Sequence, residues 1–120
     1  MSLDLLYHAL LAAFLAHELD AVKRHEWRVL PLTRFLPDRV GAQLFIWSHL
    51  PLILAVLHYG EADATRDGFR LGLAIFAVAH VGLHWGFRTH PAYEFNNPSS
   101  WGLILLTGIL GVAYVLGAVA

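Results

Sequence analysis

The chain has 120 residues, room for one domain and too few for two. Hydrophobic residues make up 58% and charged residues 14%, with a mean hydropathy of +0.57, and that much apolar surface is out of place in water, where domains carry about 25% charged residues. A net charge of −1 excludes a global basic field for nucleic acid, and the absence of cysteine excludes disulfides, thiolate metal sites and cysteine nucleophiles.

The sequence predicts an all-α fold, a four-transmembrane-helix antiparallel bundle forming a single integral membrane domain. The first apolar stretch, 3–21, follows a start that carries Asp4 and no Lys or Arg, so it does not read as a cleaved signal and is expected to be kept. The loop 22–39 holds Lys23, Arg24, Arg28, Arg34 and Arg39, and the positive-inside rule places it in the cytoplasm. Pro31 and Pro37 keep it from forming one helix. It either lies along the interface with Trp27 at headgroup depth or is a solvated linker.

The second stretch, 40–59, contains Pro51, whose missing N–H leaves the Trp47 carbonyl without its helical donor. A charged loop, 60–68, leads to the third stretch, 69–87, where Gly82 and Gly86 stand in G-x-x-x-G spacing. The fourth, 101–120, has no charge over a length that crosses the roughly 30 Å hydrocarbon layer, and Ser99 or Ser100 is positioned to cap it. Gly82, Gly86, Gly108 and Gly111 either pack the bundle internally or present a homodimer face. The third loop joins the first on the cytoplasmic side, which puts both termini outside. The expected partner is the lipid bilayer, with any small-molecule substrate unidentified.

Ionisable residues inside membrane spans are expensive and mark functional sites. With the first loop cytoplasmic and about 1.5 Å of rise per residue, His17 lies roughly 8 Å below that surface, His84 about 6 Å, and His49 and His80 about 12 Å. His8 and His58 lie deeper, at roughly 21 to 26 Å, and form a separate pair or none. His80 and His84, four apart, share a face, as do His17 and Asp20, three apart. Imidazoles with a carboxylate suit zinc, iron or copper, so His17, Asp20, His49, His80 and His84 form the candidate metal set. Glu18 points about 100° away from His17 and is the candidate catalytic base, an orienting group or a contact to a neighbouring helix. The competing view is that each histidine only pairs with a carboxylate or a backbone carbonyl and holds helices together. Two stacked haems are excluded, because the nine-residue spacings His8 to His17 and His49 to His58 turn a helix through about 2.5 turns and aim the rings apart. A single haem between His17 and His49, or between His49 and His80, stays open. The loop His90-Pro91-Ala92-Tyr93-Glu94-Phe95-Asn96-Asn97-Pro98 is either a lid carrying His90 and Glu94 or an ordered turn with aromatic anchors.

The residues His17-Glu18-Leu19-Asp20-Ala21, Glu26-Trp27-Arg28, His80-x-x-x-His84 and His90-Pro91 resemble those of an uncharacterised family of small four-helix bacterial membrane proteins. The resemblance covers the whole chain and implies no known activity. His80-x-x-x-His84 also gives a partial likeness to membrane di-iron hydroxylases and desaturases, although the double-histidine boxes of those enzymes are missing. Three functions fit these observations: a metal-binding membrane protein acting as an enzyme, a transporter or proton relay using the histidines, and a structural or partner-binding protein.

Overall fold

A computed structural model describes residues 1–120. It contains no strand and four long helices, α1 (Leu3–Lys23), α2 (Asp38–Glu61), α3 (Arg66–Phe87) and α4 (Pro98–Val119), with a one-turn 3-10 helix at Glu26–Arg28. Each long helix is long and apolar enough to cross a membrane. Ser2 caps α1 by accepting from the Leu5 N–H at 3.2 Å. Asn97, rather than Ser99 or Ser100, caps α4: its side chain accepts from the Ser100 N–H at 2.8 Å, and Pro98 follows at the first helical position, where a missing N–H goes unnoticed.

Helix α4 is the hub, packed along both α1 and α3. Small residues make that close approach possible. A Cβ on Gly111 would stand 2.7 Å from the Ala74 carbonyl oxygen, and one on Gly108 would meet the Val81 side chain. Gly82 and Gly86 do not share this role: a Cβ on either meets nothing within 4 Å, so their spacing marks an outward face and not an internal contact. Tyr7, Leu10, Phe14, Ala74, Ala77 and Tyr114 build one core cluster, and Ala21, Trp27, Phe45, Phe95 and Ile104 another.

Helix α2 is held differently, by its two ends. At its start Trp27 packs on Phe45 and Gly41 and donates its indole N–H to Asp38 at 2.9 Å. Trp27 is 6% exposed and anchors the core at this end of α2. At the other end Arg70 donates from Nε to the Gly60 carbonyl at 2.8 Å and from Nη1 and Nη2 to Asp4 and Glu61 at 2.7 and 3.0 Å. Its guanidinium also lies 4.2 Å from the centre of the Tyr7 ring. The same corner takes up His8, whose Nε2 faces Glu61 at 3.2 Å, so its partner is that carboxylate and not His58.

Candidate metal centre

Three of the predicted site residues converge. His17 from α1 and His80 and His84 from successive turns of α3 stack edge to face, with ring centroids 4.7, 5.0 and 4.6 Å apart for the three pairs. The four-residue spacing on α3 puts its two rings one above the other on the face turned toward α1. A fourth donor comes from outside the helices. After Lys23 the chain turns at His25, which adopts a left-handed conformation (φ 56°), and the reversal brings Glu26 back over the end of the bundle. Glu26 Oε1 stands 3.4 Å from His84 Nε2.

One ligand atom from each of His17, Glu26, His80 and His84 lies within 4.8 Å of all the others. Four donors about 2.0 to 2.1 Å from a zinc ion in a tetrahedron sit roughly 3.3 Å from one another, so a modest closure of these side chains completes such a shell. The imidazoles are almost wholly buried, His17 at 0%, His84 at 5% and His80 at 8% exposed. Neither ring nitrogen of His17, nor Nδ1 of His80, has a hydrogen-bond partner, although buried polar groups are nearly always paired. The competing view, histidines as helix glue, requires the bonds that these atoms do not make.

The surroundings orient the donors. His84 Nδ1 and the Tyr93 hydroxyl are 2.9 Å apart; with the proton on Nδ1, the ring donates to Tyr93 and leaves Nε2 as a lone-pair donor facing Glu26. Burial pushes the Tyr93 hydroxyl above its ordinary range, which keeps it a neutral phenol. Phe95, 0% exposed, closes the site against His17 and His84. The third loop therefore covers the cluster through Tyr93 and Phe95. The two residues expected of a lid, His90 and Glu94, turn elsewhere: Glu94 pairs with His25 at 2.7 Å, and His90 accepts from the Ala92 N–H.

His49 and Asp20 lie outside the cluster. Asp20 is three residues from His17, an offset of about 60° around the helix, which aims it at α4. There it accepts from the Ser100 hydroxyl at 2.6 Å and from Arg24 at 3.3 Å. His49 donates from Nδ1 to the Phe45 carbonyl at 2.6 Å, and its Nε2 meets Glu18 Oε2 at 2.6 Å. Because a carbonyl can only accept, Nδ1 carries a proton, and a further proton must lie between Nε2 and the carboxylate. The Glu18–His49 pair thus holds one shared proton on a neutral unit. It faces the same cleft as the cluster, a cavity of about 340 Å³ lined by Glu18, Glu26, His49, His80, His84 and Tyr93 among others.

Glu26 is the residue that helix-face reasoning does not reach, because it lies beyond the end of α1 where periodicity says nothing. The one local clue is a carboxylate between His25 and Trp27 just past a helix end.

A family model for a family of unknown function, DUF6713, matches residues 3–120. The chain belongs to that family. No curated protein and no solved structure matches it. Membership agrees with the resemblance to an uncharacterised family of small four-helix proteins. The likeness to His-box di-iron enzymes finds no support: the grouped donors are three histidines and one glutamate, with a single H-x-x-x-H among them.

Proposed function

We propose that this member of DUF6713 is a multi-pass integral membrane protein that holds one zinc, iron or copper ion at His17, Glu26, His80 and His84 and works as a metal-dependent enzyme. The observation that carries this reading is His17, fully buried with two unpaired ring nitrogens among three other ligand atoms. Water cannot relieve those atoms cheaply in an apolar bundle; a cation can, and three neutral imidazoles with one carboxylate leave a divalent ion a net charge of about +1, suited to polarising a bound oxygen.

His80, His84 and Glu26 line the cleft, whereas His17 anchors the ion from behind. A fifth coordination position on the cleft side, beyond the four protein donors, is where a water or substrate oxygen would bind. The Glu18–His49 pair lines that cleft with its shared proton, so Glu18 is placed to take up or return a proton during turnover. The basic first loop sits on the cytoplasmic side, and the metal centre lies near that surface, with both termini outside.

The test is metal content of the chain purified in mild detergent and reconstituted with each ion in turn. One ion per chain is expected in the wild type and in Asp20→Asn, with background levels in the His80→Ala/His84→Ala double variant. Glu26→Gln should bind at least about tenfold more weakly, since it loses an anionic ligand. A folded wild type that takes up none of the three ions overturns the reading.

A further inference from the structure

The middle of α2 stands away from the rest of the molecule. Its buried residues, Gly41, Phe45 and Gly60, all lie toward its two ends, where Trp27 holds one end and Arg70 and the Tyr59–Phe69 ring pair hold the other. Between them a polar bridge, Glu18 to His49, crosses from α1. On each side of that bridge is a cavity of about 340 Å³, and the two share Glu18, His49, Leu52 and Phe76 as common wall. The first contains the metal-centre residues. The second is hydrocarbon apart from the bridge itself, with Leu11, Leu15, Ile53, Val56 and Leu73 among its lining. Leu52 and Phe76 are 55% and 48% exposed while lining both cavities, so the slot opens sideways along α2.

The geometry points to this slot as a binding site for one long acyl chain of a membrane lipid, with the carbonyl end of that chain at the Glu18–His49 bridge and the histidine cluster. Length, polarity and access all fit that occupant. From His49 to Leu57 the hydrocarbon part of the slot follows about 12 Å of helix, within the roughly 15 Å of hydrocarbon in one leaflet. A polar metabolite would leave its own groups unpaired among leucines and phenylalanines. A lipid chain reaches a sideways opening from the bilayer without crossing water. The acyl-chain site rests on the metal-enzyme reading only for what stands at its polar end, where an ester or carboxyl oxygen would meet the ion.

The probe is stearic acid carrying a diazirine at mid-chain, photolysed with the full chain in detergent and mapped by mass spectrometry, with metal content measured on the same samples. Labelling is expected on the segments holding Leu52, Ile53, Leu73 and Phe76, saturable and displaced by unlabelled phosphatidylcholine as well as by stearate. Leu52→Trp, which fills the shared wall, should lower it about tenfold, and Leu52→Ala should keep it, both with unchanged metal content. Displacement by stearate alone overturns the lipid assignment in favour of a free fatty acid. Label spread evenly over outward residues such as Leu106 and Ile109 and unaffected by Leu52→Trp overturns the site, even if the metal is bound. Saturable labelling of a wild type that takes up none of the three ions supports the acyl site and defeats only the metal reading.

Discussion

His17 has 0% exposure and two ring nitrogens without partners, a combination that weakens a fold unless something pairs with them. Each buried unsatisfied polar group costs about 1 to 3 kcal/mol. His17→Leu, similar in volume and free of polar atoms, is therefore expected to melt at or above the metal-free wild type. Adding the bound metal should raise the melting temperature of the wild type, by the equivalent of about 2.7 kcal/mol at a hundredfold excess over Kd, and leave His17→Leu where it was. A thermal scan in detergent with and without the ion reads both effects, and a metal-dependent shift in His17→Leu would remove His17 from the ligand set. His17, His80 and His84 were legible in the sequence because depth and the four-residue period are both properties of a straight helix. Asp20, grouped with His17 by the same reasoning, faces α4 in the structure, because an offset of about 60° suffices to turn a short side chain to another helix. Glu18 behaves as its 100° offset predicts and reaches α2.

Among the elements, α2 depends most on a few contacts. Gly60 is 2.8 Å from Arg70 through its carbonyl and lies so close to Tyr7 that an added Cβ would run into the hydroxyl. Gly60→Ala is expected to destabilise the fold by about 1 to 3 kcal/mol, through overpacking at the end that holds α2. Gly82→Ala, where a Cβ meets nothing within 4 Å, should be neutral or gain up to about 1 kcal/mol from helix propensity. Detergent melting of the two variants side by side checks the contrast, and equal losses would contradict it. Glycine spacing alone did not distinguish these positions, because G-x-x-x-G says that a face admits close approach and not which neighbour approaches.

At the scale of the whole molecule, the absence of cysteine makes sidedness directly measurable. Phe35 is 79% exposed in the basic first loop, and Asp63 has a fully exposed side chain in the second. With the first loop in the cytoplasm, a membrane-impermeant maleimide applied to intact cells should label Asp63→Cys and leave Phe35→Cys unlabelled until the membrane is opened. The reverse pattern would move the metal centre to the outer surface without altering its geometry. Both variants should be found in the membrane fraction and released only by detergent.

The sequence by itself determined the class of fold, the four helices to within a few residues at their ends, and the histidines that share a helical face. These depend on hydropathy and on the 3.6-residue period, which are local. Only the tertiary structure decided that Glu26 completes the cluster, that Asp20 faces α4, that His49 holds Glu18 instead of joining the other histidines, and that α2 stands off to leave a slot. Each of those outcomes depends on a chain reversal at one left-handed residue or on the distance between two helices. Neither quantity is written in the periodicity of a single segment.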